Sequence, residues 1–215
     1  MRTASQSEEL VVDGPAGPLE ALHERPAEAD LRGAAVICHP HPLHGGTMQN
    51  KVAHTLARAF LGRRFAALRF NFRGVGNSGG IFDEGRGELE DALAALGWLE
   101  NRHPAVPLWI AGFSFGAAIA VAAAAERDVA GLVSVAPAIS RVGSHDGPQP
   151  TCPWLVIQGD RDELVDVDDT IAWINNLDSG PELQVFPETE HFFHGRLVPL
   201  REAVDAFIAQ HTSAG

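Results

Sequence analysis

The chain has 215 residues, of which 45% are hydrophobic and 20% charged, and this composition suits one α/β domain with a core large enough to bury most of its apolar surface. Its formal net charge is −12, with no run of basic residues, which argues against binding to nucleic acid or to an anionic membrane surface. No stretch approaches the roughly 18 to 20 apolar residues that span a bilayer, and residues 1–9 lack the apolar segment of a signal peptide. We therefore expect a cytoplasmic protein that acts on a small molecule, with residues 1–8 flexible.

The first predicted elements form a hairpin, because strand-like pieces at residues 9–12 and 19–23 flank the turn cluster 13–17. From residue 33 onward the strands are continuous apolar runs, as expected where both faces are buried, and helix-length segments alternate with them. The predicted strands are 34–38, 65–70, 108–112, 129–136, 154–158 and 183–186. The predicted helices are 50–61, 88–101, 115–127, 165–177 and 197–210.

This alternation predicts a single α/β domain, residues 1–215, with a mostly parallel central sheet, helices on both faces and the antiparallel hairpin at one edge. The segment 137–153 is too short to hold a cap domain. Cys38 and Cys152 belong to strands expected toward opposite edges of the sheet. Buried free thiols are therefore expected instead of a disulfide.

Ligands of such open sheets bind beyond the carboxyl ends of the strands, so the segments that follow the strands are where chemistry is expected. These segments are 39–46, 71–80, 112–116, 159–162 and 189–195.

The segment 112–116 has the pattern G-x-S-x-G between a buried strand and an Ala-rich helix. On a sharp strand-to-helix turn the two glycines relieve crowding, and the hydroxyl of Ser114 stands clear of the sheet. The backbone amide of Phe115 opens the helix, where unpaired N–H groups stabilise negative charge. A serine nucleophile also needs a histidine base that is held by a carboxylate, and both residue types follow later strands in the order Ser, Asp, His.

The pentapeptide 112–116, the turn G-D-R-D-E-L-V at 159–165 and H-F-F at 191–193 resemble the α/β-hydrolase superfamily over nearly the whole chain. H-P-H-P at 39–42, G-G at 45–46, N-F-R-G at 71–74 and H-F-F-H-G at 191–195 are similar to small, lidless bacterial hydrolases related to dienelactone hydrolases. Dienelactone hydrolases use a cysteine nucleophile, whereas this chain has Ser114. That departure favours ordinary ester hydrolysis.

The resemblance implies a role for each residue of the proposed triad. Ser114 would be the nucleophile and His191 the base, with His194 as a surface or helix-start residue. The superfamily pattern G-x-x-D, placed on residues 159–162, selects Asp162 as the acid. Asp160 would then stabilise its loop, as turn aspartates do.

The second oxyanion donor is expected in the loop after the first long parallel strand. Pro40 and Pro42 have no N–H, so the backbone amide of His41 is the preferred partner of the Phe115 amide, and that of Leu43 is the alternative.

Four side chains are candidates for lining the pocket: Leu43, Phe113, Phe192 and Arg73. For the phenylalanines, core packing is an equally good interpretation. Arg73 either binds a substrate carboxylate or braces its loop against a nearby acid, and the brace is favoured.

Two further patterns suggest a metal or a nucleotide, but both lack supporting context. His39, His41 and His44 have a spacing that can suit Zn²⁺, yet prolines restrict this loop and no carboxylate or thiolate completes the set nearby. Residues 74–79 match G-x-G-x-x-G, but turn-forming residues follow where a helix should begin. We expect neither a metal nor a cofactor.

The expected function is that of a serine carboxylic-ester hydrolase, which cleaves small acyl esters through an acyl-enzyme. A thioesterase or an acyl-protein esterase would present the same residues. The alternative from another class is a non-catalytic α/β-hydrolase-like protein that only binds a ligand, for which a complete Ser, Asp and His set would not be required.

Overall fold

A computed structural model describes residues 5–27, 30–139 and 148–212 of the chain. Its eight strands form one sheet in the order β1-β2-β4-β3-β5-β6-β7-β8. The strands are β1 (Ser5–Gly14), β2 (Gly17–Pro26), β3 (Gly33–Cys38), β4 (Phe65–Phe70), β5 (Leu108–Phe113), β6 (Gly131–Val135), β7 (Trp154–Gly159) and β8 (Glu182–Phe186).

The sheet is mostly parallel, as expected from the buried apolar runs. Of its eight strands, β2 alone runs against the others, because it pairs antiparallel with both β1 and β4 while all other neighbours pair in parallel. The carboxyl ends of β3 to β8 therefore meet at one edge. The predicted edge hairpin is confirmed, and it is longer at both ends than the predicted pieces.

Helices cover both faces of this sheet. They are α1 (Lys51–Gly62), α2 (Arg86–Arg102), α3 (Phe115–Glu126), α4 (Val167–Asn175) and α5 (Leu197–His211). The side chain of Asn50 accepts the N–H groups of the first turn of α1, and that of Asp166 does the same for α4. These caps satisfy backbone donors that have no partner inside the helix, which fixes where each helix begins.

The core has two halves, one on each side of the sheet. On β3, Ala34, Val36 and Cys38 face a cluster that includes α2 and α3, whereas Ala35 and Ile37 face a cluster that includes α1 and α5. Full burial of a side chain the size of Val or Ile stabilises the fold by about 1.5–3 kcal/mol. The central strands are thus held from both faces, and the loops at their carboxyl ends start from a rigid base.

Residues 5–8 correct one expectation, since they belong to β1 and are not part of a flexible start. They pair with β2 through the register that sets Ser5 opposite Pro26, so ladder hydrogen bonds order them. Residues 1–4 lie outside the described residues.

The two cysteines are free, with Cys38 buried and Cys152 half-buried. Burial raises the pKa of the Cys152 thiol to about 11 and raises that of Cys38 further. Both thiols therefore stay protonated and unreactive at neutral pH.

The connection between β6 and β7 spans residues 136–153, of which 140–147 lie outside the described residues. It is too short to fold into a cap domain over the carboxyl end of the sheet. In the described part of the chain, no helix has the length and apolar character needed to cross a membrane.

Candidate active site

Ser114 lies on the turn between β5 and α3, with φ 58° and ψ −119°. A residue other than glycine rarely adopts this backbone conformation, which costs on the order of 1–3 kcal/mol. The turn is held in place because the Ser114 N–H donates to the Val135 carbonyl at 2.8 Å, while the Ser114 carbonyl accepts the Ala138 N–H at 3.2 Å. The strained turn thereby presents the serine beyond the carboxyl end of β5.

The two glycines around Ser114 allow close backbone packing. A Cβ on Gly112 would overlap the carbonyl of Gly116, and a Cβ on Gly116 would overlap the carbonyl oxygens of Cys38 and His39. No larger residue fits at either position unless the backbone moves. The first turn of α3 therefore rests directly on the end of β3.

The hydroxyl of Ser114 begins a chain of two hydrogen bonds. Its Oγ lies 3.0 Å from Nε2 of His191, and Nδ1 of His191 lies 2.8 Å from Oδ2 of Asp162. An ionised carboxylate only accepts, so Nδ1 carries the proton and the lone pair of Nε2 faces the hydroxyl. This arrangement can accept a proton from Ser114 while the carboxylate keeps the imidazole in the correct tautomer.

The carboxylate of Asp162 is fully buried but well supplied with donors. Its Oδ1 accepts the N–H groups of Leu164 at 2.9 Å and Val165 at 2.8 Å, and its Oδ2 accepts the amide of Gln158 at 3.0 Å. Burial raises the pKa of Asp162, but the hydrogen bonds from His191 and from these backbone N–H groups outweigh burial and lower it below its usual value. Asp162 is therefore ionised at neutral pH.

Gln158 is a site residue that the sequence analysis did not identify. It is fully buried on β7, and its amide also donates to the carbonyl of Val165 at 2.9 Å, which ties the end of the strand to the turn that carries Asp162. The signal in the sequence is a polar residue inside an otherwise apolar strand. Such a residue must find hydrogen-bond partners in the interior.

The alternatives to Asp162 and His191, which are Asp160 and His194, are not part of this hydrogen-bonded chain. Asp160 is exposed, and its carboxylate accepts the N–H of Thr189 at 3.3 Å, which is the loop-stabilising role expected for it. His194 is exposed, and its Nδ1 lies 3.7 Å from the carboxylate of Glu190.

His39 has a structural role, since both of its ring nitrogens are engaged. Nδ1 lies 2.6 Å from the carbonyl of Pro40, and Nε2 accepts the N–H of Phe72 at 3.1 Å. Burial lowers the pKa of His39 to about 4, so the ring is neutral and joins the loop after β3 to the loop after β4. Within the described ranges, no three His, Cys, Asp or Glu side chains are placed to hold a metal ion.

A cavity of about 150 Å³ lies beside Ser114. It is lined by Pro40, His41, His44, Gly45, Gly46, Asn50, Ser114, Phe115, Ala138, Leu164, Val165, His191 and Phe192. Both residues expected to supply oxyanion donors, His41 and Phe115, are in this set. As the first residue of α3, Phe115 has an N–H without an intrahelical partner.

Of the four predicted lining side chains, Phe192 lines the cavity and the other three do not. Arg73 is buried against Asp91, with Nη2 to Oδ1 at 2.8 Å, so it braces its loop and is not available to a substrate. Phe113 is fully buried, with its ring centroid 5.0 Å from that of His191. Leu43 is 67% exposed and lies outside the cavity.

A serine on a strand–turn–helix elbow, followed along the chain by an acid and a histidine at later strand ends, defines the α/β-hydrolase superfamily. The chain belongs to the family described as serine aminopeptidase, S33 (Hydrolase_4), whose model matches residues 31–145. This match includes Ser114 and ends before Asp162 and His191.

Solved structures agree with this assignment. A lidless α/β serine hydrolase from Xanthomonas campestris is 40% identical, with a TM-score of 0.92 over 98% of this chain and 97% of that one. An α/β serine hydrolase homologue from Coxiella burnetii is 45% identical, with a TM-score of 0.89 over 93% of this chain and 96% of that one. A dienelactone hydrolase from Anabaena variabilis is 20% identical and shares the fold, with a TM-score of 0.79 over 97% of this chain and 99% of that one. The expected lidless α/β-hydrolase fold is confirmed.

Proposed function

We propose that the protein is a serine hydrolase that cleaves small carboxylic esters. The observation that carries the proposal is the hydrogen-bonded chain from Ser114 through His191 to Asp162, with Oγ–Nε2 at 3.0 Å and Nδ1–Oδ2 at 2.8 Å, at the wall of an open cavity. The family assignment supports hydrolysis in general. The two distances support Ser114 as the nucleophile, His191 as the base and Asp162 as the acid.

In the proposed reaction, Oγ of Ser114 forms a bond to the ester carbonyl carbon while Nε2 of His191 takes the hydroxyl proton. Asp162 stabilises the resulting imidazolium, and the N–H groups of Phe115 and His41 stabilise the oxyanion. His191 then passes its proton to the alcohol oxygen as the bond between this oxygen and the carbonyl carbon breaks. His191 then takes a proton from a water molecule, whose oxygen bonds to the acyl carbon. As the bond between that carbon and Oγ breaks, His191 returns the proton to Oγ, and the acid is released.

The cavity favours small, uncharged acyl groups. Its volume of about 150 Å³ is below the ~300–1,000 Å³ of pockets that enclose drug-sized ligands. None of the described lining residues is Asp or Glu, so these residues offer no carboxylate to the ammonium group of an aminopeptidase substrate. An ester therefore suits this site better than the amide of an N-terminal amino acid.

Reaction with a fluorophosphonate probe and turnover of p-nitrophenyl acetate test the proposal. Ser114→Ala should abolish labelling and lower kcat by at least about 10⁴-fold, since the nucleophile acts as one unit with its base. Ser179→Ala removes an exposed hydroxyl outside the cavity and should leave both unchanged.

Labelling that persists in Ser114→Ala would contradict the assignment of the nucleophile. Correctly folded wild-type protein that is inert to the probe would favour the ligand-binding alternative instead. A parallel set of thioesters decides between esterase and thioesterase activity. The cytoplasmic location and the single-domain organisation stay predictions.

A further inference from the structure

Two large apolar side chains are exposed at the wall of the catalytic cavity. Leu164, in the turn after β7, is 50% exposed, and Phe192, in the loop after β8, is 44% exposed. Both line the cavity that holds Ser114 and His191, and the half-buried Val165 lies beside Leu164. Apolar side chains thus contribute to the cavity wall both beside the nucleophile and at its exposed rim.

An ester larger than the cavity must extend beyond it. A space of about 150 Å³ holds a short acyl group, so the remainder of a larger ester must lie on the residues at the opening. Among the described residues that line it, Leu164 and Phe192 are the large apolar residues with an exposed side chain, and Val165 is half-buried.

The chemistry of the site determines which part of the ester meets them. The general acid must reach the leaving oxygen, and Nε2 of His191 is the group that delivers the proton. The centroid of the Phe192 ring lies 5.1 Å from that of the His191 ring. The backbone N–H of Leu164 donates to the carboxylate of Asp162, which in turn is hydrogen-bonded to His191. The oxyanion donors, His41 and Phe115, belong to other loops. Leu164 and Phe192 therefore lie next to the His191–Asp162 pair that would serve the leaving oxygen.

We propose that Leu164, Val165 and Phe192 form a subsite for the alcohol part of the ester, and that this subsite selects alcohols with an extended, uncharged apolar group. No Lys, Arg, Asp or Glu is among the described residues that line the cavity, so none of these residues would form an ion pair with a charged alcohol. The inference rests on the proposed ester hydrolysis and adds the substrate class to it.

Acetates of ethanol, butanol and hexanol provide the test, because the acyl group is constant and the leaving alcohols are nearly equal in basicity. In the wild type, kcat/KM should rise about twofold for each added methylene, which is less than the ~4-fold expected for full burial. Leu164→Ser and Phe192→Ser should each lower the ratio of kcat/KM for hexyl acetate to that for ethyl acetate by about fivefold. Val11→Ser, which removes a 60% exposed side chain from edge strand β1, should leave this ratio unchanged.

The ratio of kcat/KM for hexyl acetate to that for ethyl acetate distinguishes a loss of selectivity from a general loss of activity, because a distorted triad would slow all acetates alike. Methyl esters of acetic, butyric and hexanoic acid form the second series. If the two variants change selectivity in this acyl series and not in the alcohol series, the assignment of sides is overturned. Equal kcat/KM for the three acetates in the wild type would overturn the subsite while leaving ester hydrolysis intact, whereas wild type that cleaves no ester would remove the proposed function itself.

Discussion

The backbone of Gly116 rests against the carbonyl oxygen of His39, at a separation that leaves no room for a Cβ atom. This contact places the first turn of α3, with the N–H of Phe115, beside the loop that begins with His39. The two proposed oxyanion donors come from different elements, and this glycine is what allows those elements to approach each other.

Gly116→Ala should therefore lower both stability and activity, because the overlap pushes α3 away from β3. We expect a loss of about 1–3 kcal/mol in the free energy of unfolding, as for other overpacked sites, together with a large fall in kcat. Gly97→Ala in α2 is the matched control. Its Cβ would meet only Nη1 of Arg127 at 3.6 Å, so it should stabilise the protein by up to about 1 kcal/mol. Urea denaturation and ester turnover measure both variants, and equal behaviour of the two would contradict the role of Gly116.

The turn after β7 carries two aspartates, Asp160 and Asp162. Changing each to asparagine should have very different effects on activity. Asp162→Asn should lower kcat by about 10⁴-fold, because an amide in this position favours the wrong histidine tautomer. Asp160→Asn keeps an oxygen acceptor for the N–H of Thr189 and should retain most of the activity. Steady-state kinetics on a short-chain ester checks both, and a greater loss for Asp160→Asn would reverse the assignment of the acid.

Gln158 should act as a positioning residue for Asp162. Gln158→Leu removes donors to the Asp162 carboxylate and the Val165 carbonyl, so kcat should fall roughly tenfold to a hundredfold through misplacement of the acid turn. KM should change little, since Gln158 does not line the cavity. Gln184→Leu on the neighbouring strand β8 controls for a loss of an amide from the sheet. An unchanged kcat in Gln158→Leu would show that the backbone N–H groups alone position Asp162.

Stability should decrease as the pH falls from about 6.5 to about 4. Burial lowers the pKa of His39 from 6.5 to about 4, and burial together with charge repulsion from His103 and nearby arginines lowers that of His23 to about 4. Over this range the unfolded chain binds protons that the folded protein does not, so acid favours unfolding, by at most about 3 kcal/mol for His39. Below about pH 4 both states are protonated, and this contribution has been lost in full.

Urea midpoints measured at intervals from pH 7 to pH 4 would show this trend. His39→Gln keeps an acceptor for the N–H of Phe72 but does not titrate, so it should flatten the pH dependence. His44→Gln, at an exposed position, should leave the dependence as it is in the wild type. If His39→Gln follows the wild-type curve, the acid sensitivity comes from other groups.

The sheet and the order of its elements were predictable because the central strands are continuous apolar runs that end in turn residues. The convergence of Ser114, Asp162 and His191 was predictable for a related reason. Each follows a strand end, and parallel strands bring those ends together whatever the details of the loops.

Side-chain partners that depend on packing across the fold could not be predicted in the same way. Arg73 was a candidate for the pocket, yet its partner Asp91 lies on α2, and only the packing of that helix on the sheet brings the two together. Gln158 reaches Asp162 because the turn folds back over the end of β7. Leu164 lines the cavity through the same turn, whose shape no periodicity encodes.

In the proposed reaction, the short β6–β7 connection determines what the acyl group meets once the alcohol has left. A cap domain would keep the acyl-enzyme in a dry chamber, where a second alcohol could compete with the few water molecules present. Without a cap, we expect bulk water to reach Ser114 as soon as the leaving group departs. In aqueous solution the proposed enzyme should therefore release free acids and transfer few acyl groups to other alcohols.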